Sequence, residues 1–352
     1  LPELPEVETT RRHLAEHLPG ARVAAVALPD PRALLRPAPA DFAARVVGAT
    51  ILAVERRAKY LIMPLRGGAQ ADDDPAVVGA RGVAVGILDA TSDGQARDKP
   101  PRYGPSRARG ESMGADAALG GARLAGLAVS SGVAQEGERR NGRAGPADNY
   151  LIVHRRMTGN LFLREPGAPP DAHTVAVFSL DDGRELRFCD LRRFAKLWLA
   201  DAAEVAALDR ALGPEPLTRR FTAERLAAAL RGRRGLLKPL LLNQNLVAGL
   251  GNIYVDEALF AARLRPTRTA DTLTDADVRR LHRAIRAVLA QGVRNEGTSF
   301  RDYLGAVGQP GRNQMLVEVF RREGQPCPRC RTVILKTRVG GRGTHYCPHC
   351  QR

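Results

Sequence analysis

Residues 236–260 read LLKPLLLNQNLVAGLGNIYVDEALF. Two apolar runs of helical character flank a glycine-bearing stretch that cannot continue either one. Glycines directly before a helix leave its first backbone N–H groups free, and those groups form a ready anion site. Asn252 stands where the capping residue of the second helix is expected. The first run supplies the other arm of a helix–turns–helix, and the cluster Arg231, Arg233, Arg234 with Lys238 is placed to meet phosphates. Gly-x-Gly-Asn also describes an ordinary structural turn, so its neighbours must decide the reading.

On both sides of this stretch the helical pattern persists. Thr222 can cap AERLAAALRGR, and Thr274 can cap DADVRRLHRAIRAVLAQGV. Further toward the N-terminus the period changes. ARVAAVAL, ARVVGATILAVERR, KYLIMPL, NYLIVHRRM, LFLREP, TVAVFSL, RELRFCD and KLWLAD read as strands, and Gly213-Pro214-Glu215-Pro216 reads as the linker that closes them. Residues 67–148 lack any sustained period and are rich in Gly, Ala and Arg. They are read as a disordered insertion at a hairpin tip, since the strand pattern resumes after them, and added loop length costs little closure entropy. The layout is a β front over 1–216, a helical middle over 217–315 and a small module over 316–352, entered by a last strand, MLVEVFRR.

That last module carries four of the five cysteines, as Cys327-x2-Cys330 and Cys347-x2-Cys350. Two close thiolate pairs at this separation match a four-cysteine zinc ribbon, closed and structural, in which metal binding supplies the folding energy. His349 lies inside the second pair but fits the site less well than Cys350. The turn RVGGRGTHYC presents Arg342 beside glycines that let backbone approach a partner.

The chain has 352 residues and a formal net charge of +16, with a pI near 10.5, a balance that concentrates polyanions and makes nucleic acid the leading partner. No run of about 20 apolar residues exists to span a bilayer. No secretory signal is read, so a cytoplasmic location is expected.

The first ten residues, LPELPEVETT, open a helix read as Glu6–Leu18 with acids in its first turn. Were residue 1 removed, Pro2 would carry a secondary amine, unprotonated in useful fraction near neutrality, able to form an iminium with an aldehyde-level carbon. Glu3 could shuttle a proton at the same carbon. By residue type alone, a terminal proline is more often incidental.

These segments together resemble the bacterial formamidopyrimidine-DNA glycosylases. The matching strings are PELPEVETTRR, ERRAKYLI, HRRMTGNL, DLRRFAKLWL, LGPEPL, NQNLVAGLGNIYVDEALF, GTSFRDYL, REGQPCPRC and GGRGTHYCPHCQ, in family order. The resemblance implies a multidomain α+β fold: an N-terminal two-layer β-sandwich with flanking helices, a helix-two-turns-helix domain and a C-terminal zinc ribbon. It implies a monomeric, nucleoid-associated enzyme that excises oxidised purines from double-stranded DNA and nicks the strand by β,δ-elimination, with one structural zinc. Pro2 resembles the nucleophile, Glu3 the acid that assists sugar-ring opening, and Lys59 the hairpin lysine at the lesion. Arg342 resembles the ribbon arginine of the second elimination. Met157, Arg192 and Phe194 are similar to the three side chains that fill the gap left by an extruded base, an insertion that offsets unstacking. His173, Arg193, Arg233, Arg234, Lys238 and Asn252 resemble further DNA-contacting positions, and GTSFRDYLGAVGQPG the loop that closes over the flipped purine.

The chain departs from the family pattern at several points: residue 1 is Leu where the family has a start Met, and GAVGQPGRNQ replaces the usual acidic turn and Tyr-Phe. HRRM stands for HLGM, which places Arg155 and Arg156 as extra charges next to Met157, and DLRRFA carries Leu191 and Ala195 for the usual Pro and Gly. Two alternatives remain open at this point: an endonuclease VIII-like enzyme for oxidised pyrimidines, and a non-catalytic lesion-binding protein if Leu1 is retained, which would make Pro2 an amide.

Overall fold

A computed structural model of the chain describes residues 2–68, 147–300 and 303–352. The sequence-predicted insertion therefore lies outside the described residues except at its ends.

Helix α1, Leu4–His17, leads into β1 (Val23–Ala27), α2 (Pro39–Val46), β2 (Thr50–Ile51), β3 (Glu55–Arg57) and β4 (Tyr60–Arg66). After the insertion come β5 (Asn149–His154), β6 (Gly159–Arg164), β7 (Thr174–Leu180), β8 (Glu185–Asp190) and β9 (Lys196–Ala200). The strands pair into two antiparallel sheets. One has the order β1-β7-β8-β6; the other runs β2-β4-β5-β9, with β3 also on β4. Leu65 pairs with Asn149 at the end of the β4–β5 ladder, so the strands flanking the insertion are direct hydrogen-bonded neighbours. Alternation in the strands directs Leu61, Met63, Leu151 and Val153 of one sheet and Phe178, Leu186 and Phe188 of the other into a shared core. Val7, Leu14 and Leu18 of α1 join that core, so the helix bearing Pro2 and Glu3 is fastened to the sandwich.

The helical part contains α3 (Ala202–Ala211), α4 (Ala223–Leu230), α5 (Leu237–Leu242), α6 (Asn252–Ala261) and α7 (Asp275–Arg294). Thr222 and Thr274 cap α4 and α7 as expected, accepting from Arg225 N (3.3 Å) and Asp277 N (3.2 Å). Helix α6 is buried from Ile253 to Phe260, its two carboxylates Asp256 and Glu257 included, which makes it the axis around which α5, α7 and the C-terminal module pack. The C-terminal hairpin pairs β10 (Leu335–Val339) with β11 (Arg342–Tyr346). Among the described residues, no helix is long and apolar enough to cross a membrane.

Local readings needed three corrections. Helix α1 begins at Leu4 rather than Glu6, because the Glu6 carboxylate reaches back to accept from the Glu3 N–H (2.8 Å) and closes the first turn early. Asn252 is the first residue inside α6, with Gly251 at the cap position. MLVEVFRR forms no strand: Asn313–Leu316 is a 3-10 turn, and the N–H groups of Glu318, Val319 and Phe320 donate to the buried Glu257 carboxylate instead of a neighbouring strand.

Candidate active site

The N-terminus of α6 is an anion site, and the anion that fills it belongs to the chain itself. Glu3 Oε1 accepts from Ile253 N (2.9 Å) and Oε2 from Tyr254 N (3.3 Å). A Cβ on Gly251 would lie 2.3 Å from Glu3 Cδ, so glycine is what allows this approach. Glu3 is 1% exposed, and Pro2 is buried beside it. Burial pushes the Glu3 carboxyl up to about 7, with Glu6 adding to the rise; Lys59 and the helix N–H of Ile253 oppose it and do not win. A carboxyl poised there exchanges protons at neutral pH.

Lys59 enters from the β3–β4 turn. Its Nζ donates to Leu250 O (2.6 Å), the carbonyl just before Gly251. Burial lowers its ammonium pKa, opposed by Glu3 and Glu6 and assisted by Arg342, so these groups share one electrostatic environment. The turn is rigid for a visible reason. Ala58 has φ 53°, its N–H donates to Glu215, and Arg56 bridges Glu8 (2.9 Å) and Glu215 (2.9 Å). Arg57 adds bonds to Glu215 and to the carbonyls of Leu212 and Gly213. The ERR segment before Lys59 is therefore an anchor, and the sequence-predicted linker around Glu215 is its counterpart. Burial opposes ionisation of Glu8, but Arg11 and Arg56 outweigh it and hold the carboxyl down to about 2.

Arg342 is exposed at the β10–β11 turn, and the body of the protein holds that turn in place. Gly343 O accepts from Lys238 Nζ (2.8 Å) and Asn252 Nδ2 (3.0 Å). Asp256 on α6 accepts from Lys238 Nζ (2.7 Å) and from His345 N (2.9 Å). A Cβ on Gly340, at φ +55°, would meet Pro239 Cγ at 2.6 Å, so the turn lies flat on α5. Lys238 thus departs from the expectation of a DNA contact. It is 0% exposed and spends its charge on Asp256, because α6 brings that carboxylate under it. Its place is to hold the Arg342 turn. Asn252 keeps its Oδ1 buried without a hydrogen-bond partner.

The three side chains singled out as gap-fillers come together. Arg192 Nη1 lies 3.3 Å from Met157 Sδ, and its guanidinium sits 5.0 Å above the Phe194 ring. Met157 is 38% and Phe194 51% exposed, so neither is a core residue despite its type. Asp190 builds this platform: it accepts from Thr158 Oγ1, from Arg192 N (3.3 Å) and from Ala195 N (2.6 Å), tying the Met157 turn to the Phe194 turn. Arg193 is turned away to Asp30 (2.6 Å). His173, Arg233 and Arg234 are exposed; His173 O accepts from Asp190 N (2.9 Å), which seats it beside the platform. Of the two arginines expected as charges beside Met157, only Arg156 is exposed there. Arg155 is 1% exposed and points inward.

The four cysteine sulfurs lie within 4.8 Å of one another. Cys327 and Cys350 are 3.9 Å apart and Cys330 and Cys347 3.4 Å apart, near the ~3.8 Å edge that a tetrahedron with Zn–S of about 2.3 Å requires. The donor set fits one zinc ion, which would be fully coordinated by Cys327, Cys330, Cys347 and Cys350 and supply structure. His349 is exposed, outside this group.

Residue-level reading missed Glu6, Glu215, Asp190 and Asp256, all of which orient another group. Glu6 had a local signal, its spacing of three from Glu3, the capping-box interval, while Asp190, Glu215 and Asp256 lie within the family-matching strings without a pattern that reveals their partners.

A sandwich whose leading helix places a proline and a half-titrating glutamate against a helix-two-turns-helix, with a zinc ribbon supplying arginine, defines a class of damaged-DNA glycosylases. The N-terminal domain model of formamidopyrimidine-DNA glycosylase matches residues 1–83 and 131–197, its H2TH domain 212–303, and the zinc finger found in FPG and IleRS 324–352. A formamidopyrimidine-DNA glycosylase of Pelotomaculum thermopropionicum is 36% identical over 354 residues, covering 100% of this chain and 99% of its own. That of Roseiflexus sp. RS-1 is 52% identical over 202 residues, 57% of this chain and 74% of its own. A Lactococcus lactis Fpg variant in complex with Fapy-dG-containing DNA superimposes with a TM-score of 0.72 at 29% identity, covering both chains fully. The MutM (FPG) protein of Thermus thermophilus gives 0.69 at 34%, covering 99% of this chain and 98% of its own. The chain belongs to the formamidopyrimidine-DNA glycosylase family: it is a DNA-binding glycosylase that acts on damaged DNA, with a structural zinc finger.

Proposed function

We propose that this glycosylase excises oxidised purines, 8-oxoguanine and formamidopyrimidines, and then nicks the strand as a lyase. The Pro2 nitrogen attacks C1′ of the damaged nucleotide, the N-glycosidic bond breaks, and the base leaves with a proton. Glu3 protonates the sugar-ring oxygen, the ring opens, and the Pro2–C1′ iminium draws electrons so that the C2′ proton and the C3′-oxygen leave. A second elimination releases the C5′-oxygen, with Arg342 holding the phosphate. Met157, Arg192 and Phe194 occupy the vacated stack. One chain carries every group used, so a monomer suffices. The observation that carries this reading is Glu3, buried next to Pro2 yet titrating near neutrality, with Lys59 in the same site. The reading requires residue 1 to be absent from the working chain. Single-turnover cleavage of duplexes carrying 8-oxoguanine or an oxidised pyrimidine tests the substrate; faster cleavage of the pyrimidine duplex would overturn the purine assignment.

The Glu3 carboxyl is protonated below about 7 and ionised above it. Glu3 acts in ring opening, after the base has left, so its titration should appear in strand cleavage as a limb that falls above pH about 7. Protonation of the Pro2 amine sets the opposing acid limb, so the single-turnover profile is expected to be bell-shaped. Glu3→Gln should lose the falling limb and drop by roughly 10²–10⁴-fold in rate. Stability carries a matching sign. The folded chain keeps the Glu3 proton between its ordinary 4.5 and about 7, where the unfolded chain has released it. The contribution is full below 4.5 and lost as pH rises through 7, so Glu3→Gln should melt higher than wild type at pH 8 and no higher at pH 4.

A further inference from the structure

Arg155 has no part in the chemistry above, yet it heads the largest fully buried side chains of the described residues. Among the described residues its guanidinium pairs with no carboxylate. Nε donates to Gly159 O (2.7 Å), Nη1 to Thr10 Oγ1 (2.6 Å) and Nη2 to Asn160 Oδ1 (2.6 Å) and Leu304 O (3.2 Å). The Tyr303 ring lies beneath it, 5.1 Å from the guanidinium carbon to the ring centroid. A buried guanidinium without a direct counter-charge is costly, and an apolar side chain of similar volume is commonly no less stable. Stability alone gives no reason for arginine here. What arginine does, and leucine cannot, is reach from the Met157 turn, where it sits, to three separate elements at once: α1, the start of β6 and the segment after α7.

That segment wraps the first turn of α1. Thr298 N donates to Glu6 Oε1 (2.7 Å), Tyr303 Oη to Glu6 O (3.3 Å), and Leu304 N to Asn160 Oδ1 (3.2 Å). Glu6 in turn holds the Glu3 amide. Residues 303–304 are thus held between the helix that carries Glu3 and the strand that follows the Met157 turn, and Arg155 adds the bond that links all three.

We propose that Arg155 is a positioning residue for base excision: it locks residues 303–304 onto α1 and the Met157 turn, and so fixes the wall that a base turned out of the duplex meets next to Glu3. This rests on the base-eversion reading given above. The coupling is particular to this chain, since a leucine, as in the HLGM pattern the turn otherwise resembles, would fill the space and tie nothing.

The role separates two steps of one enzyme. Holding a damaged base needs the wall; nicking a pre-formed abasic site, which has no base to hold, does not. In Arg155→Leu, release of the damaged base is expected to fall roughly tenfold, and nicking of abasic duplex to change by less than about twofold, a misplacement effect confined to one substrate. Amide hydrogen exchange at residues 303–306 should quicken in the free variant. Equal losses on both duplexes, or none on either, would overturn the proposal, because a merely structural role moves both together. Arg155→Lys keeps the charge but cannot span the same partners; if Arg155→Leu fails to fold, this variant must show the same split, and its absence counts against the proposal. A wild-type chain inactive on both duplexes would sink the reading of the reaction and the excision role with it. Unchanged exchange at 303–306 in an otherwise active variant would sink the anchoring alone.

Discussion

A chain that keeps residue 1 is expected to form no borohydride-stable adduct with damaged DNA and to lose strand cleavage by at least about 10³-fold, the scale on which removal of a nucleophile acts. An amide nitrogen has its lone pair in resonance with the carbonyl and cannot add to C1′, whereas the freed secondary amine of Pro2 can. The surroundings of Pro2 would be unaltered: Glu3 stays on the N-terminus of α6, and Lys59 stays on Leu250 O. The loss should therefore appear in chemistry and not in affinity. A duplex-binding assay is expected to give similar affinity for the extended and trimmed forms, while trapping separates them. Intact mass of the active preparation gives the same answer independently. An active form whose mass includes Leu1 would show that another group forms the covalent bond.

Removal of zinc, by chelation or by Cys347→Ser, is the second large effect. The ribbon has almost no core of its own: Val319, Ile334, Cys327 and Cys347 pack with Phe260 at the end of α6. A structural zinc supplies on the order of 10 kcal/mol to such a module, far more than that cluster provides. Without it, β10 and β11 lose the frame that presents Arg342. A charged hydrogen bond of the kind Arg342 would make to phosphate contributes about 1.5–3 kcal/mol, so affinity for damaged duplex should fall by about 10–100-fold. The sandwich and the helices rest on separate clusters, so their far-ultraviolet signal and main melting transition should persist. Unchanged binding in the metal-free protein would show that the ribbon arginine does not meet DNA. Lys238, Asn252 and Asp256 explain why the coupling is sharp: all three hold the turn at Gly343 and His345, and none of them reaches Arg342 itself.

Much of this could be read without coordinates. The ribbon was legible because metal geometry writes itself into spacing: two Cys-x2-Cys pairs can close one tetrahedron and little else. Helices α4 and α7 were legible because their caps, Thr222 and Thr274, act on residues two or three positions away. Strand alternation revealed the β front for the same reason, since the period that sets burial is local; its division into two packed sheets came from the family resemblance. Helices α2 and α3 went unread: α2 is held by burial of Phe42, Ala43 and Val46, whereas α3 carries a local capping box, Asp201 with Glu204, that the sequence reading passed over. The expected strand over 315–322 failed because Glu257, some sixty residues earlier, takes the N–H groups a strand would have used.

The reactive end divides in the same way. Residue types and spacing alone pointed to four cysteines holding zinc and to a chain that attracts polyanions, while Pro2, Glu3, Lys59 and Arg342 were joined as one candidate site by the family resemblance. Only tertiary structure decided that the α6 anion site is filled by Glu3, that Lys238 is buried on Asp256, that Met157 and Phe194 stand in solvent, and that Arg155 turns inward. The physical reason is common to all four. Charge state and exposure depend on groups brought near from distant parts of the chain: 250 residues separate Glu3 Oε1 from the N–H that holds it, and 149 separate Arg155 Nη2 from Leu304 O. A sequence records such groups without recording their meeting.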